Sequence, residues 1–356
     1  MKAKIIGVIL IMLAILGAVT YKFATTGSIV TIKGFVGGEK IGFLENEEVQ
    51  EILKKNYKVN LDFTKAGSIE MVKMDTNGLD FLFPSSQVAL ELYKSQQHGK
   101  VSKSETVLTT PIVIYSWDIV VDALEKQGIV KMENNTYYIL DMGKMLEMIK
   151  NDTKWADIGL PELYGKIGIS TTDPVKSNSG NMFAGLTANV LNGGDVVNDS
   201  TIDSILPDLK IVFIKLGYME SSSGDLFDQY LRTGVGSKPL VAGYESQIIE
   251  FAYNKPDDFA QVKNKVRILY PRPTVWSAHP FIALNENAIP AINGLMDKRI
   301  QEIAWENHGF RIGTAGTLKR LPILDQLGIP DSITSVMPMP NYQVMERIIV
   351  ELENNR

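Results

Sequence analysis

The sequence predicts an α/β protein with two lobes, each built on a mixed β-sheet. Short β-branched or apolar segments alternate with amphipathic ones, a pattern typical of strands that alternate with helices. The chain has 356 residues, enough for about two domains. Hydrophobic residues make up 45% and charged residues 22% of the chain, which is ordinary for a folded globular protein.

Three strand–helix units open the predicted first lobe. Alternating or continuous apolar runs predict strands at residues 28–35, 58–63 and 79–83. Acidic or small residues before amphipathic segments predict helices at residues 45–55, 69–74 and 84–93. Strands that alternate with helices in this way favour a mostly parallel sheet.

The rest of the chain divides between the two predicted lobes. Lobe 1 is predicted to comprise residues 28–113 and 271–356, and lobe 2 residues 114–270. The β-branched run at 107–117 is long enough to cross between lobes, and residues 251–270 are predicted to carry the return crossover; together they would form a hinge. Residues 209–216 fit either a strand or a helix, and residues 342–354 predict a terminal amphipathic helix.

Residues 1–27 predict a signal peptide or a membrane anchor. Lys2 and Lys4 precede an apolar run at residues 5–19, and no clear small-residue cleavage site follows. An uncleaved signal-anchor helix through residues 5–21 would hold the protein at the membrane with the rest outside the cell. A cleaved signal would release it to the periplasm or medium, and a buried helix is the third reading.

Several functional classes find no support in the composition. The net charge of −5 gives no electrostatic reason to expect nucleic acid, and the absence of cysteine excludes thiolate chemistry. The three histidines, His98, His279 and His308, are too scattered to predict a metal site. Neither a Gly-x-Ser-x-Gly elbow nor a phosphate-binding loop ending in Gly-Lys-Ser/Thr occurs. We therefore expect no enzyme activity and no cofactor.

Small polar loops recur where a predicted strand passes into a helix. This is the sheet edge at which open α/β folds bind ligands. Helix N-termini there offer unpaired N–H groups, which suit an anion, although serine and glycine are also ordinary capping residues. The loops are Gly37-Gly38-Glu39-Lys40, Ala66-Gly67-Ser68, Pro84-Ser85-Ser86, Ser177-Asn178-Ser179-Gly180 and Ser221-Ser222-Ser223-Gly224.

One stretch carries a family resemblance. TTDPVKSNSGNMFAGL, residues 171–186, resembles the segment of molybdate- and sulfate-type bacterial extracellular solute-binding proteins in which Asp-Pro precedes a small-residue loop and an anion-binding helix. PLVAGYESQIIEF, residues 239–251, is similar to the later strand whose terminal tyrosine donates to the oxyanion. SSSGDLF, GGEK, AGS and GLDFLFPSS match further binding loops of that family.

The resemblance implies a type II periplasmic-binding-protein fold, with two hinge crossovers and a ligand cleft between the lobes. An oxyanion is favoured, although a sugar or a small carboxylate also suits such residues. Glu39 and Glu245 would oppose an anion unless they point away. The implied role is delivery to an ABC permease by a monomer; the alternative is a membrane-anchored sensor or scaffold for a partner membrane protein. The candidate ligand-binding residues are Gly38, Lys40, Gly67, Ser68, Ser85, Ser86, Ser177, Asn178, Ser179, Ser222, Ser223 and Tyr244.

Overall fold

A computed structural model describes residues 28–96, 101–311 and 320–354. The predicted signal or anchor segment, residues 1–27, lies outside this range. Among the described helices, none is long and apolar enough to cross a membrane.

The first sheet is mixed, and its strand order is β2-β1-β3-β9-β4. β1, β2 and β3 are parallel, whereas β9 runs antiparallel to both β3 and β4. The strands are β1 (Val30–Val36), β2 (Val59–Lys65), β3 (Phe81–Phe83), β4 (Lys103–Trp117) and β9 (Trp276–Ala283). The helices that follow its parallel strands are α1 (Ile41–Glu45), α2 (Glu47–Asn56), α3 (Ser68–Lys73) and α4 (Gln87–Ser95).

The second sheet is also mixed and has the order β4-β8-β6-β5, with β7 paired to β4. β6 and β8 are parallel, and the other pairs are antiparallel. Its further strands are β5 (Val130–Glu133), β6 (Thr136–Ile139), β7 (Val241–Tyr244) and β8 (Val266–Pro271). The helices in this part of the chain are α5 (Asp118–Lys126), α6 (Met142–Lys150), α7 (Asn178–Leu191), α8 (Ile202–Leu216), α9 (Ser223–Thr233), α10 (Glu245–Asn254) and α11 (Pro256–Val262).

Strand β4 connects the two sheets. Residues 103–111 pair with β9 in the first sheet, and residues 112–117 pair with β7 and β8 in the second. The chain returns between β8 and β9, after Pro271, because residues 266–269 still pair with β4 in the second sheet. The sequence placed this return earlier, at residues 251–270, which instead form the end of α10, α11 and most of β8.

The C-terminal part of the chain contributes to both halves of the molecule, that is, to the first sheet with its helices and to the second sheet with its helices. α12 (Ile289–Leu295) and α13 (Lys298–Glu306) join the core of the first sheet through residues such as Ile292 and Ile303. α14 (Pro322–Leu327) and α15 (Tyr342–Glu353) contribute Leu324, Ile348 and other residues to the core of the second. The sequence assigned residues 271–356 to lobe 1. The lobe boundaries themselves stay a prediction.

Segment 209–216 belongs to helix α8. Leu209, Val212 and Phe213 are buried, whereas Ile211 and Ile214 are exposed, so burial follows a period of three to four residues. The two exposed isoleucines made the sequence ambiguous, because they turn an amphipathic helix into a nearly continuous apolar run. Residues 163–170 form no strand, although Ser170 bridges to β7 at Val241.

A buried ion pair ties three distant segments together. The Arg311 guanidinium donates to both carboxylate oxygens of Glu245, from Nε to Oε1 at 2.6 Å and from Nη2 to Oε2 at 3.0 Å. Tyr270 donates to the same carboxylate at 2.5 Å, and Arg311 also donates to the carbonyls of Pro330 and Asp331. The side chains of Arg311, Glu245 and Tyr270 are buried, so the two charges depend on these partners.

We predict that Arg311→Met lowers the free energy of unfolding by about 3–5 kcal/mol, because it leaves the Glu245 carboxylate buried without a counter-charge. Arg299→Met is the control: Arg299 makes a bidentate but exposed pair with Glu48, and we expect a loss of less than about 1 kcal/mol. Urea unfolding of both variants measures the difference. Adding Glu245→Gln to Arg311→Met should recover part of the loss, and equal losses for the two single variants would contradict the assignment.

Candidate functional site

Loops from both sheets converge on one cleft of about 1040 Å³. The first sheet supplies the turns that follow β1 and β2. The second supplies the loop before α7, the loop before α9, and the start of α10. The carboxyl ends of parallel strands meet at one edge of a sheet, so these loops lie together although they are far apart in sequence.

A buried lysine organises the wall from the first sheet. The Lys40 ammonium has three protons and three neighbours: the Glu39 carboxylate, Ser85 Oγ at 2.7 Å and His279 Nδ1 at 3.3 Å. Ser85 Oγ in turn donates to Glu39. The Lys40 Nζ also lies 4.9 Å from the centre of the Phe83 ring, a cation–π contact. Every donor of Lys40 is therefore used inside the protein.

Glycine at position 37 makes this cluster possible. A Cβ at Gly37 would lie 2.5 Å from Ser85 Oγ, 2.6 Å from Glu39 Oε1 and 2.7 Å from Lys40 Nζ. Contacts that short do not occur for real Cβ atoms, so any larger residue would push the three polar groups apart. The Gly-Gly turn after β1 is thus required by close approach.

The pKa values of this cluster keep its charge balanced. Burial acts to raise the pKa of Glu39, but the charge of Lys40, then that of His279, and hydrogen bonds from Lys40 and Ser85 outweigh it and bring the value to about 2. Burial lowers the pKa of Lys40, and Glu39 opposes that change. Burial and the charge of Lys40 lower the pKa of His279 to about 3. The histidine is therefore neutral near pH 7.

Neutral His279 extends the network towards Ser85. Because the Lys40 ammonium only donates, Nδ1 of His279 accepts and Nε2 carries the proton. Nε2 lies 3.2 Å from Ser277 Oγ, which donates to the carbonyl oxygen of Ser85 at 2.6 Å. Two polar side chains of β9 thereby hold the loop after β3.

Asn178, at the start of α7, joins the two sides of the cleft. Its Nδ2 donates to the Ser85 carbonyl at 2.8 Å and to the Tyr244 hydroxyl at 3.0 Å. Gly67 and Lys176 also approach closely, since a Cβ at Gly67 would lie 2.9 Å from the Lys176 carbonyl oxygen. The cleft is therefore closed at this end. Burial, followed by the charge of Glu39, holds the pKa of Tyr244 well above its usual value, so its hydroxyl stays protonated.

Three hydroxyl groups lie close together at the N-terminus of α7. Ser179 Oγ lies 2.7 Å from Thr172 Oγ1 and 3.2 Å from Ser177 Oγ. No side chain caps this end of the 14-residue helix. A Cβ at Gly180 would lie 2.1 Å from the Thr172 carbonyl oxygen, so glycine lets the helix sit directly on the preceding segment. First-turn N–H groups lack acceptors within a helix, so this end can receive one from outside.

Helix α15 forms a wall that the sequence analysis did not foresee. Tyr342, Met345, Ile349 and Val350 line the cleft, together with residues of α3 and α4. The helix packs on α7 and α8 of the second half and on α4 of the first. Besides its polar loops, the cleft thus has an apolar stretch that α15 supplies.

The predicted site residues fall into three positions. Those that line the cleft are Gly38, Gly67, Ser68, Ser177, Asn178, Ser222 and Ser223. Those buried in the polar network beside it are Lys40, Ser85, Ser179 and Tyr244. Ser86 caps α4 by accepting from Val88 N at 3.1 Å. The structure brings these residues together, and their roles as ligand contacts stay a prediction.

Other residues of the site were missed or given a different role. His279 was considered only as a possible metal ligand and Ser277 was not considered, although two polar residues at alternate positions of an apolar strand signal a shared buried partner. Glu39 was expected to oppose an anion; it lies against Lys40 and lines the cleft. Glu245 is turned away to Arg311. Across the described chain, no cluster of His, Cys, Asp or Glu has the arrangement of a metal site.

No protein-family model and no curated protein matches the chain. Solved structures do. AfuA from Actinobacillus pleuropneumoniae, a periplasmic binding protein with fructose-6-phosphate bound, has a TM-score of 0.59 at 13% identity over 91% of this chain and 98% of its own. A periplasmic thiamin binding protein has a TM-score of 0.61 at 9% identity over 91% and 96%.

The sulfate-binding protein SubI from Mycobacterium tuberculosis has a TM-score of 0.52 at 11% identity, over 89% of this chain and 96% of its own. The chain has the fold of the periplasmic solute-binding proteins. This agrees with the type II binding-protein fold that residues 171–186 led us to expect. The matched solute-binding proteins carry chemically different ligands by their descriptions, so this fold alone does not name a solute.

We predict that acid weakens the fold through His279 first and Glu39 second. Both pKa values are lower in the fold than their ordinary values, 6.5 for His279 and 4.5 for Glu39. The unfolded chain therefore takes up each proton at a higher pH than the folded chain does. The stability that each group contributes is fully present above the ordinary pKa of that group. It is lost as the pH falls from 6.5 towards 3 for His279 and from 4.5 towards 2 for Glu39.

Melting temperatures measured across this range should fall steadily in the unmodified protein. His279→Asn removes the first titrating group. The variant should be less stable at pH 7, but its melting temperature should change less between pH 6.5 and 4.5. One proton taken up on unfolding corresponds to about 1.4 kcal/mol per pH unit. Identical slopes for the two proteins would show that His279 is not held neutral by the fold.

Proposed function

We propose that the protein is an extracytoplasmic solute-binding protein, without enzyme activity, that closes its cleft on a small solute bearing an oxyanion group and delivers it to an ABC permease. The observation that carries the proposal is the uncapped N-terminus of α7, where Ser177 and Asn178 line a cleft enclosed by loops of both sheets. Free N–H groups and the helix dipole favour a phosphate, sulfate or carboxylate there. The similar solved structures are binding proteins by their descriptions, which supports a role without covalent chemistry.

Closure would come from a hinge at the two connections between the sheets. β4 passes from one sheet to the other near Ile112, and the β8–β9 connection returns after Pro271. A solute that contacts both sides stabilises the closed form by its extra contacts in that form. The contact between Asn178 and Ser85 is one that opening would break.

A membrane-anchored sensor or scaffold is the second candidate. Lys2, Lys4 and the apolar run at residues 5–19, without a clear cleavage site, favour it. Such a protein would use the same closure to act on a partner membrane protein. Sequencing the N-terminus of the mature protein separates the two, since an intact residue 1 supports the anchor and a start after about residue 27 supports a free binding protein.

We predict that a solute with a phosphate, sulfate or carboxylate group raises the melting temperature of the purified full-length chain. At a hundred times its dissociation constant it should add about 2.7 kcal/mol of stability. Ser179→Ala and Tyr244→Phe should weaken binding, because each removes a hydroxyl beside the α7 N-terminus. The control is Ser204→Ala, whose exposed hydroxyl donates to the carbonyl oxygen of Thr201 at the start of α8.

Calorimetry with molybdate, tungstate, sulfate, phosphate, tellurite, carboxylates and sugars gives the affinities. A neutral sugar as the tightest ligand would contradict the oxyanion group while leaving solute binding intact. Loss of binding in Ser204→Ala equal to that in Ser179→Ala would contradict the site.

A further inference from the structure

The cleft is larger and more acidic than a bare inorganic oxyanion requires. Its volume of about 1040 Å³ lies just above the range of pockets that hold drug-sized ligands, about 300–1,000 Å³. Three lysines line it, Lys65, Lys73 and Lys176. The carboxylates that line it are Glu39, Glu70, Asp225, Asp228, Glu250, Glu346 and Glu353. An ion whose only feature is negative charge would meet more like charge than opposite charge here.

The buried lysine does not change this balance. All three donors of Lys40 are directed to Glu39, Ser85 and His279. Its charge is matched by the adjacent carboxylate, so it offers a ligand neither a proton nor a net field. What faces the cleft from this cluster is Glu39, whose side chain keeps 11% exposure.

Glu39 retains an oxygen for a ligand. Its contacts with Lys40, Ser85 and His279 all use Oε1. Oε2 is therefore the atom that can accept from a bound solute. With a pKa of about 2, the group is ionised at neutral pH and can only accept.

A second acceptor lies at the start of α7. The orientation of the Asn178 amide is set by the Ser85 carbonyl, which can only accept, so Nδ2 points there and Oδ1 is the other atom. Asn178 is 7% exposed and lines the cleft, and its Oδ1 has no hydrogen-bond donor among the described residues. Asn181 Oδ1, one turn further along α7, is also buried without a hydrogen-bond donor among the described residues. A buried acceptor without a donor costs about 1–3 kcal/mol, which a ligand that supplies the donor would return.

We propose that the solute is a small organic molecule that carries hydroxyl or ammonium donors beside its acidic group, and that Glu39 and Asn178 accept from those donors. This rests on the proposed function, which places the acidic group at the α7 N-terminus. Glu39 then decides specificity: it favours a donor-bearing acid and disfavours the bare oxyanion.

Two matched series of probes test this on the full-length chain. The phosphate series is ethyl phosphate, glycerol 3-phosphate and phosphoethanolamine. The carboxylate series is propionate, lactate and alanine. Within at least one series, a member with hydroxyl or ammonium donors should bind about tenfold tighter or more than the member without them. Comparing the hydroxyl and ammonium members tells which donor Glu39 accepts.

Glu39→Gln should act in opposite directions on the two kinds of probe. It removes the ionised acceptor, so the donor-bearing member should bind about tenfold more weakly. It also frees Lys40 of its counter-charge, so ethyl phosphate or propionate should bind more tightly. Asp228→Asn is the matched control, since it removes one negative charge from an exposed residue of the same cleft and should shift all probes alike.

Glu39→Asp serves if Glu39→Gln does not fold, because it keeps the charge that balances Lys40 and shortens the reach. It should weaken the binding of the donor-bearing member without strengthening the binding of the donor-free anion. Donor-free and donor-bearing members of equal affinity, or a Glu39→Gln variant that affects them alike, would overturn the inference and leave solute binding in place. Failure of every probe to bind would overturn the proposed function as well.

Discussion

The structure of the cleft depends on one constraint: a lysine ammonium that is fully buried needs a partner for each of its three protons. Glu39 supplies the counter-charge, and Ser85 and His279 supply the other two acceptors. Ser85 is the pivotal member. Its hydroxyl belongs to the lysine cluster. Its carbonyl oxygen accepts hydrogen bonds from Ser277 in the same half and from Asn178 in the opposite half. The charge balance on one side therefore positions the contact across the cleft.

The same arrangement links local backbone geometry to the solute. Gly37 is needed because a Cβ would enter the lysine cluster, and Gly180 because one would meet the segment that precedes α7. These close approaches place Glu39 on one wall and the α7 N-terminus on another. A cleft with an ionised carboxylate on one side and free N–H groups on the other suits a molecule that has both donors and an acidic group.

The positions of several residues along the cleft could be predicted from the sequence, because they follow from local rules. Small polar residues between a strand and a helix mark the binding edge of an α/β sheet, and Ser177-Asn178-Ser179 and Gly67-Ser68 do line the cleft. The fold class was predictable for the same reason, from strands and helices that alternate.

What the sequence did not predict depends on contacts between distant residues. The sequence did not indicate the partners of Lys40: His279 lies 239 positions away and accepts from one of its donors. Helix α15 was recognised as amphipathic, yet nothing in its pattern indicated that it packs against both halves and lines the cleft. The sequence placed the return crossover too early, because the apolar pattern of a strand such as β8 does not show which of the two sheets it joins.

The most direct test of the account is the distance between the two halves with and without a solute. The chain has no cysteine, so Thr64→Cys in β2 and Ser204→Cys in α8 would place two fluorophores specifically, one on each half. Single-molecule energy transfer should show a longer distance in the free protein and a shift to the shorter one as the tightest solute is added. An unchanged distance distribution, with the same solute shown by calorimetry to be bound, would contradict closure of the cleft on its ligand.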